Sequence, residues 1–397
     1  ELGILAYVFE SDFYKTELRH NMGIFSKSLF IIIFLYSEAI FSEPRFYTGR
    51  DNEKDDGAIH SLGNGKMCVY EQGPDLVTVY SGPLSTPSFY KLRLIASDSL
   101  QIRSIRKLGT AIWNHQILSC EDQTGEMVDF VDAEIPCFVR TITTDQKIVL
   151  KFRLKEYVQV IENSTRWKDY DQTQGLLLVV SPGTVIYQTY VYPEILYNQL
   201  LCQGAISIQK TEDPHVYNVI CEKGTSKICL IGGPDYPEVT GNTVQALSAG
   251  YSNMLKRTQT YWLEFSRRRM DFPRKLPRDL PGRDELLQII DDIAVLIKTQ
   301  QSDDGSVLAG YPYPLGYVRD QYGVARGLLS LGYIPEAESI LNYYWRIWKK
   351  YGVIHNAQAI GFDGIFHVHE NDDVECTGYL ILQAFDLYAA TGDEAFL

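Results

Sequence analysis

The stretch Leu150-Lys-Phe-Arg-Leu-Lys-Glu-Tyr-Val-Gln-Val160 decides the fold of the first half of the chain. Its apolar positions are Leu150, Phe152, Leu154, Val158 and Val160, and mostly polar side chains lie between them. Such alternation places apolar side chains on one face of a strand and polar ones on the other. The stretch therefore predicts one half-buried strand of an antiparallel sheet.

Short β-rich runs of the same character extend to both sides of this stretch, over about residues 59–233. They cover residues 67–70, 76–80, 176–180, 184–192, 216–221 and 228–231. Gly, Pro, Asp and Asn separate them, and no helical period intervenes. Many short strands divided by turns predict an antiparallel β-sandwich.

The hydrophobic period changes to three and four residues beyond this region. Apolar side chains over 244–265 predict a long amphipathic helix. The segment 271–283 follows, and Pro273, Pro277 and Pro281 disfavour a helix there, so we expect an extended, stiff connection. This connection marks the predicted boundary between two domains.

Four further helices are predicted, over residues 286–297, 321–331, 335–351 and 373–390. In the third, Trp348 and Tyr351 belong to the predicted buried stripe, and Gly352 follows its end. The fourth is apolar on nearly all sides, which is typical of a helix surrounded by other helices. Because four helices cannot surround it, we expect the chain to continue beyond Leu397.

The 397 residues include 37 Lys and Arg against 50 Asp and Glu, a net charge of −13. Nucleic acids and membrane surfaces are anionic and favour basic proteins, so neither is expected as a partner of the mature protein. Seven cysteines without a CxxC spacing favour buried free thiols over a disulfide framework.

The segment 22–42 has the layout of a secretory signal peptide, with Lys27, an apolar core from Leu29 and a terminal Ser42. A buried strand or translated upstream sequence is the alternative. A genuine leader predicts a secreted or periplasmic protein, and otherwise we expect the cytoplasm. The predicted organisation is a leader over 1–43, a β-sandwich over 44–240, a linker helix with its connection over 241–282, and a helical domain over 283–397.

The loop 302–320 is long, aromatic and rich in Gly and Pro, and it ends in Arg319 and Asp320 at a helix start. A carboxylate and a guanidinium make directional hydrogen bonds to adjacent hydroxyl groups, and an aromatic ring such as Tyr317 packs on the C–H face of a sugar. These residues are therefore candidates for sugar binding. The structural alternative is that Asp320 caps the helix and pairs with Arg319.

A second polar cluster lies at the start of the fourth predicted helix and contains His367, His369, Asp372, Asp373 and Glu375. On a strand the two histidines share a face, but no third metal ligand is evident, so hydroxyl recognition is favoured over a metal site. Asp373 and Glu375 do not share a helix face, which argues against one acid/base pair. Helix capping by Asp372 or Asp373 is the structural alternative.

The segment Gly316-Tyr-Val-Arg-Asp-Gln-Tyr-Gly-Val-Ala-Arg-Gly-Leu-Leu-Ser-Leu-Gly332 resembles the start of the catalytic barrel in glucoamylase-like six-hairpin glycosidases, glycoside hydrolase family fifteen. Gly305-Ser-Val-Leu-Ala309 before it and Thr391-Gly-Asp393 after the fourth helix are similar to further elements of that family. The resemblance implies an N-terminal, supersandwich-like β-sandwich, a helical linker and an (α/α)6 toroid, of which 283–397 is an incomplete part.

By this resemblance the chain belongs to an inverting glycoside hydrolase that acts on α-linked glucosides or oligosaccharides without a cofactor. Tyr317, where the family usually has Trp, would hold the terminal sugar together with Arg319 and Asp320, and the second polar cluster would line the same cavity. Glu375 is the candidate acid within the chain, and the main acid/base pair is expected beyond Leu397. A phosphorylase of related architecture and a non-catalytic carbohydrate-binding protein are the alternatives.

Overall fold

A computed structural model of the protein describes residues 59–81, 84–85, 90–95, 100–119, 122–170, 172–181, 185–187, 190–191, 195–311, 313–361 and 373–396. The predicted signal peptide and the site candidates His367, His369 and Asp372 lie outside these residues. The backbone of Asp373 begins a short 3-10 helix, Asp373–Glu375, and its side chain also lies outside the described part.

Strands make up the first part of the described chain. They are β1 (His60–Gly63), β2 (Met67–Gln72), β3 (Asp75–Ser81), β4 (Tyr90–Ile95), β5 (Leu100–Arg106), β6 (Trp113–Ser119), β7 (Asp122–Val131), β8 (Cys137–Thr144), β9 (Ile148–Leu154), β10 (Gln159–Glu162), β11 (Gln174–Val180), β12 (Val185–Tyr187), β13 (Tyr190–Val191), β14 (Leu196–Lys210) and β15 (Val216–Ile231).

Thirteen of the described strands form one antiparallel sheet that divides into two arms. One arm has the order β1-β2-β3-β4-β9, and the other has the order β5-β6-β7-β8. Both end on β15, whose first half pairs with β9 and whose second half pairs with β8. β1 and β2 contact β7 and β8 across the arms, which enclose an apolar core that includes Val69, Ile117, Phe138 and Phe152.

The long strands β14 and β15 bend where the sheet divides. Gly204 and Gly224 have φ values of 90° and 122°, in the left-handed region that favours glycine. The register between the two strands shifts between Gly204 and Ile206, which marks a bulge that turns the strands from one layer to the other. The predicted sandwich is therefore confirmed as two layers, and one bent ribbon joins them.

The single strand predicted over 150–160 is wrong. β9 ends at Leu154 and β10 begins at Gln159, because a tight turn with a 3.0 Å bond from the Val158 N–H to the Lys155 carbonyl separates them. Leu154 and Val158 are both buried, so the alternation continues through the turn. Conversely, the runs 216–221 and 228–231 belong to the one strand β15, in whose middle the pairing with β14 is interrupted while Gly224 and Thr225 pair with β8.

The remainder of the described chain is mostly helical. The helices are α1 (Tyr236–Arg267), α2 (Phe272–Lys275), α3 (Arg283–Gln300), α4 (Val318–Leu331), α5 (Ile334–Tyr351) and α6 (Cys376–Thr391). The short helix α2 corrects the expectation of a fully extended connection. Asp271 caps it by accepting from the Arg274 N–H. Pro273 lies in the first turn, where a backbone N–H would have no intrahelical acceptor, so proline is tolerated there.

One expectation about helix burial is also wrong. Trp348 and Tyr351 of α5 are 48% and 42% exposed, whereas Tyr344 of the same predicted stripe is buried. Ile381 and Phe385 of α6 are 63% and 41% exposed, so the described residues leave one apolar face of α6 uncovered. Among the described helices, none combines the length and the apolar character that crossing a bilayer requires.

The helical part packs on the sandwich through α3. The hydroxyl groups of Ser61 and Thr299 lie 2.6 Å apart, and the Tyr70 hydroxyl donates to Gln300 over 2.7 Å. Arg106 of β5 forms an ion pair with Asp292 of α3, and both side chains are almost fully buried. Removal of one partner from such a pair costs about 3–5 kcal/mol, since the other charge stays buried. The two parts therefore share one buried interface.

The backbone of β1 approaches α3 so closely that only glycine fits at position 63. A Cβ atom on Gly63 would lie 1.9 Å from the carbonyl oxygen of Thr299. We expect Gly63→Ala to lower the free energy of unfolding by about 2–3 kcal/mol, because the two backbones must separate. Denaturant-induced unfolding measures this change.

Gly241→Ala in α1 is the matched control for that substitution. A Cβ atom at Gly241 would meet nothing within 4 Å. Alanine is the better helix former by roughly 0.5–1 kcal/mol, so this variant should be at least as stable as the parent protein. Equal stability of the two variants would contradict the close approach of β1 and α3.

Candidate functional site

A short antiparallel pair of strands fixes the point at which α4 begins. We call it the hairpin, although α4 and α5 lie between its two strands. Its strands are β16 (Leu315–Tyr317) and β17 (Ala357–Ala359), which pair antiparallel. The Val318 N–H continues the pairing by donating to the Asn356 carbonyl over 2.9 Å. Leu315 and both alanines of β17 are buried in the same apolar cluster as the sandwich core. The first turn of α4 is therefore anchored to the sandwich.

Arg319 and Asp320 lie in the first turn of α4, which begins three residues before its predicted start. The Arg319 Nη1 atom lies 3.4 Å from the Oε1 atom of Glu375, the residue that precedes α6. The two side chains are 55% and 37% exposed, so the pair contributes little to stability. The contact shows that α4 and α6 begin side by side. We call this place, defined by Arg319, Asp320 and Glu375, the helix-start corner.

Asp320 is the half-buried member of the helix-start corner. Burial raises the pKa of its carboxyl group above the usual range, the Arg319 guanidinium lowers it, and the Glu375 carboxylate raises it. An ionised carboxylate accepts hydrogen bonds only, whereas the protonated group also donates one. The hydrogen-bonding character of Asp320 therefore changes at a higher pH than that of an ordinary aspartate.

The structural alternatives for these residues are only partly realised. Asp320 is the third residue of α4, where its charge favours the helix dipole, but the cap position belongs to Tyr317. Within the described residues, the ion pair of Arg319 is with Glu375. The cap position of α6 belongs to Glu375, which makes no side-chain capping bond, and the side chains of the predicted caps Asp372 and Asp373 lie outside the described residues.

Tyr317 and Tyr344 are the tyrosines related to the helix-start corner, since Tyr317 precedes α4 and Asp320 influences the pKa of Tyr344. Tyr317 is half-buried and packs against the sandwich core cluster. Tyr344 of α5 is fully buried, and burial raises its pKa well above the usual range, with smaller contributions from Cys376 and Asp320. Its hydroxyl oxygen has no hydrogen-bond partner among the described residues. The helical spacing of Ala337, Ile340 and Tyr344 predicts only a buried position for Tyr344, because no local pattern indicates an unpaired hydroxyl near Asp320.

A second group of titratable side chains is fully buried between the two arms of the sandwich. This sandwich network comprises His60, Glu71, His115, Asp129 and Arg140. The Arg140 Nε atom donates to both oxygens of Asp129, over 2.9 and 3.0 Å. His115 Nε2 lies 3.1 Å from Asp129 Oδ2, and His60 Nε2 lies 2.9 Å from Glu71 Oε2.

The sandwich network has the spacing of a metal site but not its charge balance. Ligand atoms of Glu71, His115 and Asp129 lie within 4.8 Å of one another. The Arg140 guanidinium, bonded to Asp129 and 3.5 Å from Glu71, already supplies the positive charge. Burial raises the pKa of Glu71 well above the usual range, Asp129 raises it further and Arg140 lowers it, so the neutral form of Glu71 is favoured. The donor set therefore suits a buried ion pair better than a metal ion.

An open groove of about 480 Å³ lies away from the helix-start corner, between α1 and the β7–β8 turn. Arg257 on its wall forms ion pairs with Asp132 and Glu134. Ligand sites present a few polar groups that converge on an apolar pocket. Because Arg257 is already paired with Asp132 and Glu134, this groove is not the candidate site.

Comparison with known proteins supports the fold. No protein-family model matches the sequence, and no curated protein sequence matches it. The structure is similar to a crystal structure of a bacterial glucoamylase complexed with acarbose, with a TM-score of 0.59 and 12% sequence identity. The match covers 86% of this chain and 56% of that chain. At this identity the likeness concerns the fold alone, which is a β-sandwich followed by helices, as in that glucoamylase.

Proposed function

We propose that the protein is a six-hairpin glycoside hydrolase that acts on α-linked glucosides or oligosaccharides with inversion, and that Tyr317, Arg319 and Asp320 hold the terminal sugar. The observation that carries this proposal is the helix-start corner, where Arg319 lies 3.4 Å from Glu375 beside the half-buried Asp320. The corner belongs to a fold similar to that of a bacterial glucoamylase complexed with acarbose.

The chemistry of the helix-start corner suits a neutral polyol. A half-buried carboxylate such as that of Asp320 accepts hydrogen bonds from two adjacent hydroxyl groups, and the guanidinium of Arg319 donates to their oxygens. The backbone N–H groups of Arg319 and Asp320, in the first turn of α4, have no intrahelical acceptor, which adds donors at the same place. We propose that His367, His369, Asp372 and Asp373, in the segment before α6, line the same cavity.

The proposed reaction needs two carboxyl groups. In an inverting hydrolase one carboxylic acid protonates the leaving oxygen, and a carboxylate about 6.5–9.5 Å away activates water on the opposite face of the sugar. Glu375 is the proposed acid among the described residues. The glucoamylase chain extends well beyond the matched 56%, and we propose that the main acid/base pair belongs to the corresponding part of the whole protein.

The anomer released from a maltooligosaccharide tests the proposal. We expect the whole protein to release the β-anomer first, as followed by NMR, at a rate that does not depend on phosphate. Release of the α-anomer would contradict inversion, and phosphate-dependent turnover would identify a phosphorylase instead. Affinity for the oligosaccharide without turnover would identify a non-catalytic carbohydrate-binding protein.

A further inference from the structure

A proline interrupts the hydrogen-bond ladder of the β16–β17 hairpin at its open end. Leu315 pairs with Ala359, so the next residues to face each other are Pro314 and Ile360. Proline has no backbone N–H and cannot donate to the opposite carbonyl group. Each strand has three residues, and so short a hairpin has little pairing to lose.

Ser85, which follows β3 in the sandwich, fills the gap in this ladder. Its backbone N–H donates to the Ile360 carbonyl over 3.1 Å. Its hydroxyl group donates to the Pro314 carbonyl over 2.5 Å and accepts from the Ile360 N–H over 2.5 Å. The hydroxyl therefore stands between a donor on one strand and an acceptor on the other, in place of a direct ladder bond.

Ser85 is held rigidly where it makes these bonds. Its side chain is fully buried, with 0% exposure. The preceding Leu84 belongs to a small apolar cluster with Leu308 and Ile360, so packing fixes the backbone beside Ser85 against the hairpin. Because Ser85 has a defined position in the sandwich, its bonds fix the position of the hairpin relative to the sandwich.

We infer that Ser85 is a positioning residue for the helix-start corner, and this inference rests on the proposed function. Ser85 fixes the open end of the hairpin through Pro314 and Ile360. The other end continues directly into α4, because the Val318 N–H donates to the Asn356 carbonyl. Arg319 and Asp320 are the next two residues. Their place relative to Glu375 therefore depends on how firmly the hairpin is held to the sandwich.

Ser85→Ala tests this role, with Ser61→Ala as the matched control. Ser61 is also a buried sandwich serine, and its hydroxyl lies 2.6 Å from that of Thr299, but it contacts α3 and not the hairpin. We expect Ser85→Ala to weaken acarbose binding on the order of tenfold, since loss of alignment in a binding site has effects of at least this size. Ser61→Ala should bind acarbose as the parent protein does. Calorimetric titration measures both affinities.

Amide hydrogen exchange supplies a second measurement that does not depend on any sugar. Ser85→Ala should speed exchange at Ile360 and Val318 by roughly tenfold more than Ser61→Ala does, because the hairpin opens more often. If Ser85→Ala fails to fold, Ser85→Cys replaces it, since a thiol keeps the size but is a weak donor and acceptor.

The outcomes separate this inference from the proposed function. Normal affinity and normal exchange in Ser85→Ala would overturn the positioning role. An equal loss of affinity in both serine variants would also overturn it, since that result indicates a general effect of the interface. Absence of acarbose affinity in the parent protein would contradict the proposed function, and the exchange at Ile360 and Val318 would still decide the role of Ser85.

Discussion

Asp129→Asn is expected to lower the free energy of unfolding by about 3–5 kcal/mol, because it leaves Arg140 buried without an anionic partner. Both side chains are fully buried, and the guanidinium donates to both oxygens of Asp129. An amide oxygen can accept one of these hydrogen bonds but carries no charge. Denaturant-induced unfolding at neutral pH measures the loss, which is large compared with the total stability of an ordinary domain.

Glu71→Gln is the matched control within the same network. Because burial and Asp129 favour the neutral form of Glu71, the amide resembles it in charge and size, and the expected cost is below about 1 kcal/mol. Equal losses for the two variants would show that Glu71, and not only Asp129, balances the charge of Arg140.

The cost of Asp129→Asn should also depend on pH. Burial alone would raise the pKa of Asp129, but Arg140 and His115 hold it well below the usual range. A carboxyl group with a lowered pKa stabilises the folded state above its unfolded pKa of about 3.9 and loses that contribution as the pH falls. The difference between the parent protein and the variant should therefore shrink below about pH 4. A constant difference down to pH 2 would contradict the ion pair.

Asp320→Asn is expected to weaken acarbose binding by roughly 100-fold. A hydrogen bond to a charged group contributes about 1.5–3 kcal/mol, so the loss of one or two such bonds to sugar hydroxyls corresponds to about this factor. The matched control is Asp386→Asn in α6. Asp386 also has a pKa raised by burial, but it accepts from the Tyr322 hydroxyl and lies away from the helix-start corner. Calorimetric titration should show unchanged affinity for the control.

The pH dependence of binding tests the same carboxyl group from another direction. Burial, first of all, raises the pKa of Asp320 above the ordinary aspartate range. As the pH falls through this raised pKa, the carboxylate becomes protonated, and we expect the affinity for acarbose to fall with it. Glu375→Gln removes one contribution that raises this pKa. We therefore expect the acid limb of the binding profile to move to lower pH in this variant. If the acid limb of the profile does not move, the ionisation of Asp320 does not control binding.

The layers of the fold follow from local patterns in the sequence. Alternation around Phe152 predicts the sandwich, and the three-and-four spacing of Ala337, Ile340 and Tyr344 predicts the inward face of α5. Both patterns report which side of an element is apolar, and burial of that side drives the packing. The same patterns hide the turn after Leu154, because a turn that keeps its flanking residues buried does not interrupt the alternation.

The candidate site was only partly predictable. Arg319 and Asp320 stand out because they end a loop and begin a helix, and Glu375 because it precedes another helix start. The contact between Arg319 and Glu375 depends on how α4 packs on α6, which no local pattern encodes. Ser85 and Pro314 are 229 positions apart, and a serine between turn residues carries no signal of such a distant partner.

The sandwich network escaped prediction for a related reason. His60, Glu71 and Asp129 occupy inward positions of their strands, where a two-residue period favours apolar side chains. Asp129 becomes tolerable in the core because Arg140 and His115 hydrogen-bond to it, and His60 and Glu71 hydrogen-bond to each other. The identity of those partners is set by the order of strands in the sheet, which alternation within one strand does not contain.

The ion pair between Arg106 and Asp292 also constrains the timing of biosynthesis. Its partners are 186 residues apart (292 − 106). At about 5–20 residues per second, a ribosome needs roughly 10–40 s to make the second partner after the first. Until α3 emerges, the edge of the nascent sandwich around Arg106 must stay hydrated, and the surface that later meets α3 stays open. During that interval the sandwich lacks one side of its buried interface, and the emergence of α3 supplies it.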